Sequence, residues 1–229
     1  MRLKILLFLF LILGFTEIIL VSLEIDNSII LRPLCAILIY AFYYFNSHRH
    51  NLYFIIYLSC ELINETFFLI NFERYFSLVL GGYVLATFTM IYHLWPVFKK
   101  VGFTLDRDAL FKTILGLLGI LYAFWELTLL VFDNLPNNII FFPALVALLS
   151  WIFFCSIIPI RNRHPDNFLL YIMGGSMAVM APTMFIYTFL WSYMPVLILS
   201  LLSMMLLKLS MVWYLIKLDG ILNSKESYF

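Results

Sequence analysis

The sequence predicts an all-α protein, a polytopic membrane protein that crosses the lipid bilayer as a bundle of eight helices. Hydrophobic residues make up 64% of the 229 residues and charged residues only 12%, whereas soluble domains carry roughly 25% charged residues. The apolar residues lie in runs of about 20 residues, the length that a helix needs to cross ~30 Å of hydrocarbon. A soluble enzyme, a nucleic-acid-binding protein and a disordered regulator are excluded, because one core of this size cannot hide so much apolar surface.

Short polar segments divide the chain into eight spans, which we assign to one domain covering residues 1–229. The first apolar run follows Met1-Arg2-Leu3-Lys4 and continues to Leu23 without a small-residue cleavage site. We therefore expect it to remain as the first span rather than to be removed as a secretory signal. The spans are predicted at 3–23, 29–46, 52–70, 77–98, 111–132, 139–160, 168–190 and 194–218.

Each of the first seven spans ends where a polar segment interrupts the apolar run. These segments are too short to hold a soluble domain, and a transmembrane barrel is excluded because its strands would be about 10 residues long and would alternate in polarity. The spans end, in order, at 24–28, 46–51, 71–74, 99–108, 133–138, 161–167 and 191–193.

Lysine and arginine residues are unequally distributed between the two sides of the predicted bundle. With eight spans, the side that holds both termini carries eleven of the 14 basic residues, whereas the other side carries Arg32 and Arg74, and Lys208 lies inside a span. Because basic residues collect in cytoplasmic loops, we expect both termini to be cytoplasmic. The abundance of Phe, Ile and Asn is typical of an AT-rich bacterial genome, so we expect a bacterial inner membrane. The eleven residues are Arg2, Lys4, Arg49, Lys99, Lys100, Arg107, Lys112, Arg161, Arg163, Lys217 and Lys225.

Seven ionisable residues lie inside predicted spans, where each costs at least a few kcal/mol unless it has a partner or a function. Four of them lie on four different spans at one depth in the outer half of the bilayer, which predicts a polar cavity lined by spans 1, 2, 3, 5 and 7. His93 lies close to the interface, and we interpret it as an ordinary histidine. The four residues at one depth are Glu17, Arg32, Glu65 and Glu126; the other two are Glu61 and Lys208.

Span 3 carries two carboxyls, Glu61 and Glu65, that are four residues apart and therefore share one face of the helix. Two neighbouring carboxyls in a low-dielectric environment cannot both ionise cheaply, so we expect one of them to keep its proton near neutral pH. Such a pair offers an acid and a base to one ligand. The alternative is that both carboxyls form ion pairs with Arg32 and Lys208, and we expect Glu61 to be the partner of Lys208.

The sequence contains no motif for a metal or an organic cofactor. The zinc-protease, nucleophile-elbow and phosphate-loop patterns are absent, and no Cys and His residues cluster at metal-ligand spacing. The three cysteines lie inside apolar runs and are interpreted as small packing residues. We therefore expect no metal site and no cofactor, and membrane lipid rather than nucleic acid as the partner.

Three stretches of the sequence carry a resemblance to a known family. Arg32-Pro33-Leu34 opens span 2 and is similar to that family's Lys-Pro-Leu. Ile63-Asn64-Glu65-Thr66, followed by Gly82-Tyr83-Val84-Leu85-Ala86, is similar to its Gly-Asp segment, and Gly174-Gly175-Ser176-Met177 through Ala181-Pro182-Thr183 lies where the family has its Ser-Asp segment. Together with the eight-span topology, these stretches resemble the YhhN-type membrane proteins, the lysoplasmalogenase family.

The resemblance implies hydrolysis of the vinyl ether bond of lysoplasmalogens, with two membrane aspartates implicated. The first aspartate corresponds here to Glu65, with Glu61 as an alternative register, and the second corresponds to Pro182. The family's glycine and lysine are replaced by Asn64 and Arg32. Because proline has no acid or base function, either another carboxyl, Glu61 or Glu126, takes the second role or the chain is a non-catalytic relative.

The sequence thus leaves three hypotheses for function. The first is hydrolysis of a single-chain ether lipid by carboxyl acid–base chemistry, with Glu65, Glu61 and Glu126 as catalytic candidates. Arg32, Asn64 and Glu17 are then candidates for binding the substrate, with Arg32 holding a lysophospholipid phosphate. The second is a non-catalytic binder or carrier of a lipid or small amphiphile. The third is an accessory membrane subunit whose charges only hold helices together.

Overall fold

Nearly all of the chain that the structure describes is helical. The computed structural model describes residues 2–25, 30–100, 107–161 and 164–223, and these residues form seven α-helices and no strand. The all-α class predicted from the sequence is therefore confirmed. The helices are α1 Arg2–Ser22, α2 Leu31–Ser47, α3 Leu52–Lys100, α4 Arg107–Val131, α5 Asn138–Arg161, α6 Phe168–Phe185 and α7 Met194–Leu222.

Within the described part of the chain, six helical segments are long and apolar enough to cross a membrane, which indicates an integral membrane protein. They are Leu3–Ser22, Leu52–Lys100, Ile114–Asn134, Asn138–Arg161, Pro165–Leu190 and Met194–Leu222. Helix α2, predicted as a span at 29–46, has 17 residues and is shorter than these. Residues 26–29, 101–106, 162–163 and 224–229 lie outside the described part of the chain. Two residues of the predicted basic side, Arg163 and Lys225, are among them.

The 49-residue helix α3 changes direction at the polar segment that the sequence places between spans 3 and 4. Its backbone leaves helical geometry at Asn71 (φ −171°, ψ 96°) and at Tyr75 (φ −102°, ψ 15°). The Asn71 side chain accepts a hydrogen bond from the backbone N–H of Arg74 (2.9 Å), as a residue that begins a new helix does. The rings of Tyr53 and Tyr92 meet with centroids 4.5 Å apart, so the first arm (52–70) and the second arm (76–100) lie side by side.

Asn64 connects the two arms of α3 between the change of direction and the contact of Tyr53 with Tyr92. Its amide donates hydrogen bonds to the carbonyls of Cys60 (3.2 Å) and Val79 (3.1 Å), and its oxygen accepts one from the N–H of Tyr83 (3.1 Å). These partners assign the orientation of the amide. The backbone of the second arm approaches this closely because residue 82 is a glycine, and a Cβ there would collide with the Asn64 amide. The pair Asn64 and Gly82 therefore sets the spacing of the arms.

We expect Gly82→Ala to lower the free energy of unfolding by about 1–3 kcal/mol, the usual effect of overpacking a filled contact. Gly81→Ala is the matched control, because a Cβ at Gly81 meets nothing within 4 Å. Thermal unfolding of the two variants in the same detergent measures the difference. Equal melting temperatures would show that Asn64 does not fix the approach of the arms.

Polar contacts join the helix ends in two groups, one at each end of the bundle. At one end, Arg49 in the α2–α3 turn forms an ion pair with Asp219 of α7 (2.6 Å), and Lys100 at the end of α3 donates to a backbone carbonyl at the end of α7. At the other end, Asn137 before α5 donates to Ser77 in the second arm of α3 (3.1 Å). The first group joins segments that the sequence assigns to the basic side.

Candidate functional site: a cavity with a carboxyl pair

A cavity with about 880 Å³ of empty space, including its opening, lies between α3, α4, α5, α6 and α7. Most of its wall consists of phenylalanine, leucine and methionine side chains from all five helices. Its few polar groups come mainly from α3, and Thr128 of α4 adds a hydroxyl that already donates to the carbonyl of Phe124 (2.7 Å). The α3 residues are Glu61, Asn64, Glu65 and Tyr83. The cavity is therefore an apolar compartment with one polar region.

Glu61 and Glu65 both line this cavity, as their spacing of one helical turn predicts. Their exposed fractions are only 5% and 4%. Burial of a carboxyl is costly unless it is protonated or has a cationic partner. The two carboxyls differ in this respect, because only one of them forms an ion pair with a cation among the described residues.

Lys208 of α7 forms an ion pair with Glu65. The prediction that Glu61 is the partner of Lys208 is therefore wrong. Both carboxyls lie on the face of α3 that meets α7, and the lysine contacts the one that is a turn closer to the kink. Among the described residues, no ion pair includes Glu61.

Glu17 of α1 and Arg32 of α2 form a second buried ion pair (Nε to Oε1, 2.8 Å). Arg32 is 2% exposed, and neither of its two terminal nitrogens has a hydrogen-bond partner among the described residues. Neither residue lines the large cavity. Glu17 instead lines a smaller cavity of about 330 Å³ with Lys208. The predicted substrate-binding residues Arg32 and Glu17 therefore lie outside the large cavity, whereas Asn64 lies in its wall.

Glu126 is exposed on α4, so the prediction that it shares one polar cavity with Glu65 is wrong. The side of α4 that faces the cavity carries Phe124, Leu127, Thr128 and Val131. Depth along the bilayer was predicted from the position of each residue in its span, but depth does not determine which face of a helix a residue takes. His93 does not line the cavity; its ring contacts Tyr53 (centroids 5.7 Å).

Two tyrosines near the carboxyls were not identified from the sequence. Tyr57 is 2% exposed, its hydroxyl has no hydrogen-bond partner among the described residues, and it interacts electrostatically with Glu61 and Glu65. It precedes Glu61 by four residues, so the same spacing that linked the two carboxyls could have found it. Tyr83 lines the cavity from the second arm; the sequence places it in a stretch that carries the family resemblance but assigns it no role.

Pro182 of α6 also lines the large cavity, together with its neighbour Ala181. It lies inside α6, which continues as a π-helix at Ile186–Leu190. The cavity thus brings Pro182 into the same wall as Glu61 and Glu65.

The described residues contain no group of three or more His, Cys, Asp or Glu side chains that could hold a metal ion. The fold and the site together define a helical integral membrane protein with a buried carboxyl pair in an apolar cavity. Comparisons with protein-family models, with curated proteins and with solved structures give no match to this chain.

Proposed function

We propose that this protein binds a single-chain lipid in the large cavity and hydrolyses its vinyl ether bond with the two carboxyls. The observation that carries the proposal is the placement of Glu61 and Glu65, side by side, in an otherwise apolar cavity. Apolar walls suit a hydrocarbon chain, and a few convergent polar groups suit the reacting bond. No metal or organic cofactor is needed for this chemistry.

In the proposed reaction, Glu61 is the acid and Glu65 is the carboxylate. Protonated Glu61 transfers its proton to the β-carbon of the vinyl ether, and the α-carbon becomes part of an oxocarbenium ion. The negative charge of Glu65 stabilises this cation. Water then attacks the α-carbon and gives its proton to Glu65. The hydroxyl proton of the resulting hemiacetal passes to the glycerol oxygen as the carbon–oxygen bond breaks, which releases an aldehyde and the glycerol hydroxyl of the headgroup. Transfer of a proton from Glu65 to Glu61 restores the starting state.

The resemblance to the lysoplasmalogenase family supports this proposal at the level of single residues. The positions that correspond to the family's two aspartates, Glu65 and Pro182, line the same cavity. Residue 64, which corresponds to the family's glycine, also lies in the wall. Two of the three stretches that carry the resemblance are far apart in the sequence and line one compartment, as a shared active site requires. The third stretch, at the start of α2, lies outside this cavity.

A second candidate function is lipid binding without turnover, and Pro182 favours it. Proline cannot give or take a proton, so the chain lacks an acidic group at that position. The same cavity then serves a carrier or binder of a single-chain amphiphile. The two candidates share the bound lipid and differ in whether the Glu61 and Glu65 pair alone completes the reaction.

Aldehyde release from a lysoplasmalogen by the purified protein tests the proposed function. Hydrolysis by the wild type supports the enzymatic function. Binding without hydrolysis by the wild type, together with hydrolysis by Pro182→Asp, supports the non-catalytic function. Absence of any lysolipid binding would contradict both and favour an accessory membrane subunit.

We further propose that the chain crosses a bacterial inner membrane eight times, with both termini in the cytoplasm. The change of direction in α3 supports two spans within that helix, and the ion pair between Arg49 and Asp219 supports a shared side for the α2–α3 turn and the end of α7. Reporter fusions after residues 27, 72, 135 and 192 are expected to report a periplasmic location, and those after 49, 104 and 164 a cytoplasmic one. One inverted loop would contradict the eight-span topology.

A further inference from the structure

We propose that Lys208 is a positioning residue that assigns different roles to the two carboxyls. Its ammonium group holds Glu65 as a carboxylate and leaves Glu61 to carry a proton. The chemical use of this assignment rests on the proposed function, but the assignment itself concerns the protein without ligand. It can therefore be tested separately.

Ionisable side chains are buried between α1, α2, α3 and α7. Five ionisable side chains lie there, and each residue is at most partly exposed. Three of the five are carboxyls and two are cations, so complete ionisation would leave one buried negative charge without a partner. Such a charge is strongly disfavoured, and a carboxyl in this position takes up a proton instead. The five residues are Glu17, Arg32, Glu61, Glu65 and Lys208.

The ion pairs decide which carboxyl takes up this proton. Glu17 is paired with Arg32 at 2.8 Å, and Glu65 is paired with Lys208. Glu61 is the remaining carboxyl. It has the like charge of Glu65 one helical turn away and no cation of its own, so it is the member of the pair that is protonated.

Lys208 has two further carboxyls within electrostatic range, Glu61 and Glu17, but its ion pair is with Glu65. The lysine lies between the two cavities, since its pairing partner Glu65 lines the large cavity while Lys208 itself lines the small one with Glu17. Glu17 and Lys208 interact electrostatically. Arg32 already neutralises Glu17, which removes Glu17 as a competitor for the lysine.

The remaining helices around the pair add no cation to the described part of the site. Helices α4, α5 and α6 contribute only uncharged side chains to the large cavity. The other titratable groups nearby are Tyr57, Cys60 and Tyr83 of α3 and Cys35 of α2, all of which are neutral at physiological pH in their ordinary states. Lys208 is therefore the group that distinguishes Glu61 from Glu65.

Infrared spectroscopy of the protein without ligand tests this assignment, because a protonated carboxyl has a carbonyl band that a carboxylate lacks. We expect the wild type to show one such band from the buried cluster at neutral pH. Glu61→Asp should shift the band, whereas Glu65→Asp should leave its position unchanged. These conservative variants keep the charge of each group. A band that follows Glu65→Asp, or no band at all, would overturn the proposal.

Removal of the lysine gives the complementary measurement. Lys208→Met should add a second protonated carboxyl per molecule, and with it a second carbonyl band. This second band should shift in the double variant Lys208→Met/Glu65→Asp. Lys208→Arg, which keeps the cation, should retain the single band. The matched control is Lys217→Met, an exposed lysine on the same helix, which should leave the spectrum unchanged. A spectrum of Lys208→Met identical to that of the wild type would overturn the proposal.

Kinetics separate this proposal from the proposed function. If Lys208 positions the pair, Lys208→Arg keeps aldehyde release and Lys208→Met loses it while lysolipid binding remains. Infrared bands as expected, together with no lysolipid binding, would support the assignment of charges and contradict the lipid function. Lipid hydrolysis with infrared bands that do not depend on Lys208 would support the function and overturn the role of the lysine.

Discussion

Glu61→Gln is expected to lower the rate of aldehyde release from a lysoplasmalogen by about 10²–10⁴-fold, the usual contribution of a general acid. Glutamine keeps the shape of the side chain but has no proton to give to the vinyl ether carbon. The cavity wall is otherwise unchanged, so binding of the lipid should stay close to that of the wild type. Single-turnover kinetics, with binding measured separately on a saturated analogue, distinguish the two effects.

Glu73→Gln is the control for this experiment. Glu73 lies on the same long helix, but it is exposed near the change of direction and does not line the cavity. Its replacement should leave the rate unchanged. A Glu61→Gln variant as fast as the wild type would show that Glu61 is not the acid.

Arg32→Met is expected to lower the free energy of unfolding by about 3–5 kcal/mol, the usual effect of removing one partner from a buried ion pair. Arg32 is almost completely buried, and its guanidinium contacts the Glu17 carboxylate at 2.8 Å. Without the arginine, the carboxyl stays buried and lacks a cation of its own. Thermal or chemical unfolding in detergent measures the loss.

Two further variants show that the effect comes from the unpaired carboxyl. Arg32→Met/Glu17→Leu should recover most of the lost stability, because an apolar pair of similar size often replaces a buried ion pair at little cost. Arg49→Met breaks the ion pair with Asp219, whose side chains are 74% and 67% exposed, and should change stability by only about 0–1 kcal/mol. Equal losses for Arg32→Met and Arg49→Met would contradict the account.

The sequence is sufficient to predict the fold class and the position of the carboxyl pair. A bilayer requires long apolar helices, and composition alone identifies them. The polar segment at Asn71 marks the change of direction in α3, because asparagine can begin a new helix by accepting a backbone hydrogen bond. The spacing of Glu61 and Glu65 fixes their common face, since four residues make about one turn.

The partner of Lys208 could not be predicted because depth in the bilayer is too coarse a measure. Glu61 and Glu65 are one turn, about 5.4–6 Å, apart along the helix, and a flexible lysine side chain can reach either of them. The choice depends on how α7 packs against α3. Such packing is set by many small contacts that a single sequence does not reveal.

The location of Glu126 could not be predicted because α4 is apolar on nearly all sides. An amphipathic helix reveals its buried face by periodicity, but exposed residues of α4 such as Leu118 and Trp125 are as apolar as the buried Phe124. In a membrane, apolar residues face lipid as readily as protein. The cavity-facing side of α4 is therefore evident only from the structure.

Binding of a lysoplasmalogen to a cavity-filling variant tests the central claim most directly. Leu145 of α5 is half-buried and lines the cavity, whereas Leu149, one turn further along the same helix, is half-buried and does not. Equilibrium binding is measured for the wild type, Leu145→Trp and Leu149→Trp in lipid nanodiscs. The account predicts that Leu145→Trp weakens binding at least about tenfold, a loss of 1.4 kcal/mol, while Leu149→Trp binds like the wild type. Equal affinities for the two variants would show that the lipid does not bind in this cavity.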